Sequence, residues 1–397
     1  MNKSGPALEG KRILLLFPHA VMAGGALNYT IHHADLLVRQ GAKVGLLTMQ
    51  YDAKRFPFHP DVDVITLDGP LTSSMLYWLL LPWWHLRLHR EISRWEPDLL
   101  LPHVFPANWW AWMYKFFHRD CKILWMCHEP SAFIHSRAWI KALRPYWKQL
   151  IAQIIRPVLS RIDTSLFRMS NRVLVNSRYT GGLVYEVYGH QPDGVAYPGL
   201  DLDRFKVSHS TKKRQFVSVA KLTRFKRVDF LLRVFSLVIQ EQNDVHYHIV
   251  GSGEELDKLK KLVGELVIAG NVTFHDNLDD DGLVQLLGDS MLLLHGCVNE
   301  PFGMAPIEAI ACGTPVFAHK SGGPAEYITP ECGRLIDSEN EDEWATEIID
   351  YMECLDENPD YFSGVASQAK EFSWGKTLRP FVDNIAAVIQ VDRDKRL

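Results

Sequence analysis

Residues 215–250 read QFVSVAKLTRFKRVDFLLRVFSLVIQEQNDVHYHIV. The run Gln215–Val219 is short, apolar and rich in Val and Phe, which suits a buried strand. Val228–Gln240 carries helical spacing, and Tyr247–Val250 is a second apolar strand. A strand, a crossover helix and a strand make a βαβ unit, so the two strands run parallel in one sheet. The rhythm continues C-terminally with a helix over Glu254–Ala269 and strands at Val272–Phe274, Met291–Leu294 and Pro315–Ala318, and a last helix spans Lys376–Gln390. It also runs N-terminally. Arg12–Phe17 is a strand, Ala26–Arg39 a helix (Leu27, Ile31, Ala34, Leu37, Val38) ended by Gly41, and Lys43–Thr48, Asp63–Leu67, Asp98–Leu101, Ile123–Met126 and Arg172–Val175 are strands. It pauses once, at the turn Tyr197-Pro198-Gly199-Leu200-Asp201. The expected fold is α/β: two doubly wound, Rossmann-like parallel-sheet domains over 1–195 and 200–375, with a cleft between them. In such sheets ligands bind outside the carboxyl ends of the strands.

Composition agrees. The chain has 397 residues, of which 47% are apolar and 23% charged, ordinary globular usage that excludes disorder, collagen and coiled coil as the main character. The net charge of −4 conceals an excess of +8 through Val195 and −12 from Ala196 onward, and ten of the twelve tryptophans lie in the basic half. The two halves therefore face different partners, or one half faces an anionic surface. Six cysteines form no Cys-x-x-Cys, which gives no support to zinc or dithiol chemistry and suggests reduced, buried thiols in a cytoplasmic protein. The run Ile13–Leu16 is too short for a signal peptide and reads as the first strand. Met75–Trp84 (MLYWLLLPWW), broken by Pro82, is too short to cross a bilayer but could dip into an interface.

Three stretches carry candidate chemistry. Gly24-Gly25 lies between the first strand and its helix, where glycines let backbone approach a phosphate at a helix N-terminus. They are equally readable as a tight turn. The pattern is not Gly-x-Gly-x-x-Gly and no acidic residue takes the ribose position, so a nicotinamide dehydrogenase is disfavoured. In Asn299-Glu300-Pro301-Phe302-Gly303-Met304-Ala305-Pro306-Ile307-Glu308-Ala309, a helix starting near Ala305 leaves the N–H groups of Phe302, Gly303 and Met304 free to hold a diphosphate. Glu300 and Glu308 beside it can accept hydrogen bonds from sugar hydroxyls, although Glu308 also reads as an ordinary exposed helix residue. Cys127-His128-Glu129-Pro130 puts a histidine at a strand end, where α/β active sites form.

Glu300 and Glu308, followed by Ala309-Ile310-Ala311-Cys312-Gly313-Thr314-Pro315-Val316 and Ser321-Gly322-Gly323-Pro324-Ala325-Glu326, resemble the signature of retaining glycosyltransferases of family 4, which have the GT-B fold. Weaker similarity runs through Lys221-Leu222-Thr223-Arg224-Phe225-Lys226, Pro198-Gly199-Leu200-Asp201 with Phe205, Asn176-Ser177-Arg178 and Phe372-Ser373-Trp374. The resemblance implies that Glu300 contacts the donor-sugar hydroxyls and Glu308 the ribose. Lys226 would pair with the diphosphate, with Lys221 beside it where the family usually has Arg, charged but without a bidentate fork. It also implies that His128 touches the donor sugar at the reaction centre. Gly251 and Leu278 would border the base, Gly24 and Gly25 would face the phosphates or acceptor, and the closing helix, 376–397, would cross back to the first domain. The two lysines read independently as part of a solvated basic loop.

The implied reaction transfers a hexosyl group with retention from a nucleotide diphosphate sugar to a hydroxyl of a lipid-linked or cell-envelope glycan. It needs no cofactor, and no Asp-x-Asp motif supports a metal-held diphosphate. Glu300-Pro301-Phe302-Gly303 and Gly322-Gly323-Pro324 look somewhat like the mannosyltransferase branch, which points to GDP-mannose. A GT-B epimerase and a non-catalytic glycan- or lipid-binding scaffold share the same pattern; a phosphorylase would need a pyridoxal-phosphate lysine, for which no motif is present. Between Arg137 and Arg178 nine basic residues and one acid, Asp163, interleave with Trp139, Trp147, Leu150, Ile151 and Ile154. This basic amphipathic pattern suits an anionic membrane on the cytoplasmic side, with Trp78, Trp83 and Trp84 as added anchors, or else a helix covering the domain with a solvated face. No nucleic-acid-binding motif appears, and the second half is acidic.

Overall fold

The computed structural model describes residues 8–22, 24–136, 140, 146–207, 212–276, 278–358 and 364–390. The chain forms two compact units, Met1–Tyr197 with Thr377–Leu397, and Pro198–Lys376.

The first unit holds a seven-stranded parallel sheet in the order Val62–Thr66, Lys43–Thr48, Arg12–Leu16, Leu99–Pro102, Lys122–Cys127, Arg172–Val175, Gly194–Val195. Strand order reverses between Arg12–Leu16 and Leu99–Pro102, the switch point at which doubly wound sheets open a ligand crevice. These strands are buried nearly throughout, as parallel strands covered on both faces must be. The aromatic wealth of this half is mostly core. Trp109, Trp110, Trp112 and Trp125 pack with Leu14, Leu100 and Ile123, and Trp110 Nε1 donates to Tyr77 Oη at 2.8 Å.

The second unit repeats the topology with six parallel strands: Val272–His275, His246–Val250, Lys213–Val219, Ser290–His295, Val316–His319, Gly333–Ile336. Its switch point lies between Lys213–Val219 and Ser290–His295. Phe216, Phe235, Tyr247, Trp344 and Tyr351 fill its core. The edge strand Gly333–Ile336 was not expected from the sequence; only Leu335 and Ile336 are strongly apolar there, too short a run to stand out. The helix expected over 254–269 spans only Leu256–Glu265.

The closing helix begins at Trp374, and from Thr377 onward it belongs to the first unit. There Phe381 stacks on His33 at 3.5 Å between centroids, and Asn384 Oδ1 accepts from Arg172 at 2.7 Å. All six cysteines are free, but Cys121 and Cys354 are half-exposed rather than buried.

One expectation needs correction. Met75–Trp84 is a short helix, Met75–Leu79, followed by the start of a second, Leu81–Trp95, with Pro82 in its first turn. Trp84 is 5% exposed and Trp78 is half-buried against the core, so of the three proposed anchors Trp83, 49% exposed, is the most open to solvent. The helix needs an apolar face against the sheet, and Trp84, Leu88, Ile92 and Trp95 supply it at helical spacing.

Candidate active site

In the second unit the site grows from the strand end at His295. Asn299 adopts a left-handed conformation (φ 60), its N–H donating to Ser321 Oγ at 2.9 Å. The Gly322-Gly323 turn then packs on the following backbone. A Cβ at Gly322 would lie 2.3 Å from Glu300 O, and one at Gly323 2.5 Å from Phe302 Cα, while Gly323 N–H donates to Glu300 O at 2.8 Å. Gly322, at φ 69, needs the freedom only glycine has. The Tyr327 hydroxyl lies 2.6 Å from Gly303 O and 3.1 Å from Phe302 O. The Gly-Gly-Pro segment is therefore a clamp that fixes the loop carrying Glu300.

The helix Met304–Ala311 starts where the motif predicts. Among the described residues, the N–H groups of Gly303 and Met304 have no acceptor in the chain. Phe302 is 3% exposed and its ring packs against Tyr327 and Phe372, so its side chain is core and only its backbone can face a ligand. An apolar ring next to a polar helix end has nowhere better to go.

Lys226, in a short turn after the strand Lys213–Val219, ion-pairs with Glu300. Burial pushes the Glu300 carboxyl up, but Lys226, His295 and a hydrogen bond from Cys297 outweigh it and hold Glu300 below the ordinary carboxylate range. His295 is pushed down to about 4, by burial first and by Lys226, so it is neutral near pH 7. Glu308 behaves oppositely. Burial, with Asp280 adding to it and Arg204 opposing, raises its carboxyl to about 7. It is half-buried, not the exposed helix residue that its sequence position allows. Arg204 pairs with Asp280, the first residue of the helix Asp280–Asp289.

Lys221 is exposed, and among the described residues it has no ion-pair partner. Gly251 supports its loop: at φ 136, its Cβ would sit 1.9 Å from Ala220 O, and Ser252 O accepts from Leu222 N–H at 2.9 Å. Close approach of two backbones thus explains Gly251 within the chain itself. Leu278 is half-buried, next to that helix's N-cap, Asp279.

In the first unit, Gly24 and Gly25 head the helix Gly25–Arg39. A Cβ at Gly24 would meet nothing within 4 Å and its φ of 176 is extended, so the chain itself does not require glycine there. That helix presents Tyr29 and His33. Tyr29 lies edge-on to His128 at 5.2 Å and donates to Ala196 O at 2.6 Å. His128 Nε2 lies 3.0 Å from His103 Nδ1, and its imidazole is pushed down to about 3 by burial. His128 is therefore a neutral hydrogen-bonding group near pH 7. Sequence reading missed His103, which follows the strand Leu99–Pro102 as His128 follows Lys122–Cys127; the strand-end rule that selected one applies to both. Among the described residues His103 Nε2 has no partner. Ser177 caps the helix Arg178–Tyr188 through Thr180 N–H, a structural use.

Asp-x-Asp triplets do occur. Asp63 accepts from Trp95 Nε1, Asp201 accepts from the N–H groups of Asp203 and Arg204, and Asp279 caps its helix. Each of these three has a local structural task; a fourth, at 392–394, lies outside the described residues.

Two family models match end to end: "Glycosyltransferase Family 4" over residues 23–204 and "Glycosyl transferases group 1" over 201–364. Curated relatives include an alpha-1,3/1,6-mannosyltransferase, ALG2, of Mus musculus (28% identical over 241 residues, 54% of this chain and 56% of the relative). Another is a D-inositol 3-phosphate glycosyltransferase of Mycolicibacterium gilvum (31% over 228 residues, 53% and 50%). The chain spans about half the length of the curated relatives it matches. Among solved structures, Anabaena HepE in complex with UDP and glucose superposes with a TM-score of 0.72 at 20% identity, covering 95% of this chain and 99% of that one. Sucrose-phosphate synthase of Thermosynechococcus elongatus gives 0.75 at 18%, covering 97% and 98%. At such identities the structures speak for the fold alone. With parallel sheets in the orders 3-2-1-4-5-6-7 and 3-2-1-4-5-6 and the glutamate signature at the second switch point, the chain belongs to glycosyltransferase family 4 and has the GT-B fold.

Proposed function

We propose that this chain is a retaining glycosyltransferase that moves a hexosyl unit, mannose from GDP-mannose as the leading candidate, from a nucleotide diphosphate sugar to a hydroxyl of a lipid-linked or cell-envelope glycan. The observation that carries this reading is the Lys226–Glu300 pair, clamped at a switch-point strand end beside the N-terminus of the helix Met304–Ala311. A diphosphate arriving there offers Lys226 a stronger partner and releases Glu300 to accept from sugar hydroxyls. The acceptor oxygen bonds to the anomeric carbon as the bond to the diphosphate breaks. The diphosphate leaves with the electron pair and takes up the acceptor's proton, so no separate base and no metal is needed. Lys226, Lys221 and the Gly303 and Met304 N–H groups stabilise the charge on the leaving group. Neutral His128 holds a sugar hydroxyl by hydrogen bonding. The lean toward mannose is supported by the Glu300–Gly303 and Gly322–Pro324 segments and by the mannosyltransferase name of a relative.

The test is thermal unfolding with GDP, UDP, ADP and NAD, alongside Glu308→Ala. A ligand at about 100 times its dissociation constant adds about 2.7 kcal/mol. One nucleoside diphosphate should stabilise the wild type and fail to stabilise the variant. No response to any of the four counts against the reading and favours the scaffold.

The acceptor reading has its own support. On the helix Tyr146–Phe167, Trp147, Leu150, Ile151, Ile154, Val158 and Ile162 form one exposed stripe, with Ile154 76% exposed. The single acid of this stretch, Asp163, is fully buried, accepting from Trp109 Nε1 at 2.6 Å and Tyr188 Oη at 2.7 Å. The exposed face is thus apolar and without an exposed acid, with Arg161 exposed on the same helix, a pattern that suits a helix lying in an anionic interface. Arg137, Trp139, Lys141, Leu143 and Arg144 of that stretch lie outside the described residues. Among the described residues no helix is long and apolar enough to cross a membrane. We infer peripheral docking on the cytoplasmic face. Flotation with anionic liposomes should capture the wild type and lose Ile151→Glu/Ile154→Glu; recovery of wild type in the unbound fraction at low salt refutes it.

A further inference from the structure

We propose that His295, Cys297 and Glu300 form a latent site for a thiophilic divalent cation, zinc by preference, whose occupancy takes Glu300 away from Lys226 and shuts the donor site.

The three side chains offer a nitrogen, a sulfur and a carboxylate oxygen, all within 4.8 Å of one another. Imidazole, thiolate and carboxylate are the zinc donor set, and three protein ligands with an open fourth position is a common zinc arrangement. Ligand atoms around a tetrahedral zinc stand about 3.5 Å apart. His295 Nε2 and Glu300 Oε2 are already 3.9 Å apart, so little movement is required. His295 is 7% exposed, yet its Nε2 has no hydrogen-bond partner among the described residues. A buried polar atom left so is costly, and a metal ion would satisfy it.

The scaffold is fixed before any metal arrives. His295 ends a fully buried strand, Cys297 is buried two residues later, and Glu300 is held by the Asn299–Ser321 bond and the Gly322-Gly323 turn. All three ligands thus come from six consecutive residues with a supported backbone. On binding, Cys297 gives its thiol proton to solvent and the metal takes the thiolate. Lys226 cannot remain against a carboxylate that shares a divalent cation, because like charges would then lie side by side. It must withdraw. The site opposes magnesium and calcium, which favour all-oxygen ligand sets. It is therefore an inhibitory site, distinct from any metal requirement of the transfer reaction.

Metal uptake can be read without nucleotide, so it stands apart from the proposed function; only the antagonism rests on it. The full chain, stripped with a chelator, is titrated with cobalt(II) and then with zinc in equilibrium dialysis, beside Cys297→Ser and His295→Asn. The wild type should develop a thiolate-to-cobalt charge-transfer band in the near ultraviolet and take up zinc. Zinc binding should weaken by roughly 100-fold in Cys297→Ser, at the upper end of what even outer-sphere changes cause. Metal-free unfolding temperatures show that each variant is folded. Absence of the band in wild type, or equal zinc affinity in wild type and a folded Cys297→Ser, overturns the site. In a second arm, zinc should abolish the nucleotide-induced thermal shift of wild type but not of Cys297→Ser. A nucleotide response that survives saturating zinc refutes the antagonism, whereas no nucleotide response in either protein refutes the donor reading and leaves the cobalt result to decide the site.

Discussion

Glu308 gives opposite pH signatures for stability and for nucleotide binding, and Glu308→Gln separates them. Its carboxyl is raised from 4.5 to about 7 because burial penalises the anion. The folded state therefore holds this proton more tightly than the unfolded state. The resulting stability is fully present below about pH 4.5 and is lost as pH rises toward about 7, where the folded carboxyl ionises. Each pH unit between those two values weakens folding by about 1.4 kcal/mol, so the full loss is on the order of 3 kcal/mol. Glutamine has no proton to lose. The variant should match wild type near pH 4 and exceed it by up to about 3 kcal/mol above pH 7 in urea unfolding. Nucleotide binding should run the other way if Glu308 accepts hydrogen bonds from the ribose, since only the carboxylate accepts through both oxygens. With a midpoint of about 7, the ionised fraction is about a tenth at pH 6 and about nine-tenths at pH 8. Calorimetric affinity of wild type for its nucleoside diphosphate should accordingly rise about tenfold over that interval, beyond any rise seen in Glu308→Gln. Titration of the diphosphate itself affects both proteins equally and drops out of the ratio. Parallel affinity profiles would show that Glu308 does not hold the ribose; parallel stability profiles would show that its carboxyl is not destabilised by burial.

Three further outcomes follow. Lys226→Ala should lower turnover by about 10²–10³, as loss of one charge-stabilising donor does, with the deficit in kcat measured at saturating donor. Gly322→Ala and Gly24→Ala should part company. The first puts a Cβ 2.3 Å from Glu300 O at a φ of 69 and should cost at least about 1–3 kcal/mol in unfolding. The second meets nothing within 4 Å and should leave unfolding within about 0.5 kcal/mol of wild type while turnover falls, so a Gly24→Ala enzyme of full activity would remove Gly24 from the site. His128→Ala should lower turnover without altering the pH–rate profile between about pH 5 and 8, because the imidazole, at about 3, is neutral throughout; loss of an acid limb from that profile would contradict this.

What the sequence determined by itself is what is local. Alternating apolar runs and helical spacing placed nearly every strand of both sheets within a residue or two, since parallel strands buried on both faces carry continuous apolar runs. The glutamate motif located the helix Met304–Ala311 and the loop before it, because glycine, the helix start and the carboxylates are all encoded within a dozen residues. What only the tertiary structure decided is what depends on distant partners. Lys226 and Glu300 are 74 residues apart, and their pairing follows from two strands becoming neighbours at a switch point. The Gly322-Gly323 turn reads as motif but acts as a clamp, visible only when its backbone meets Glu300. His103 beside His128, the core positions of Phe302 and Trp84, and the satisfied burial of Asp163 likewise arise from packing. Residue type sets which chemistry a side chain can offer; burial and neighbours set its charge state, as Glu300 and Glu308, moved in opposite directions within one motif, demonstrate.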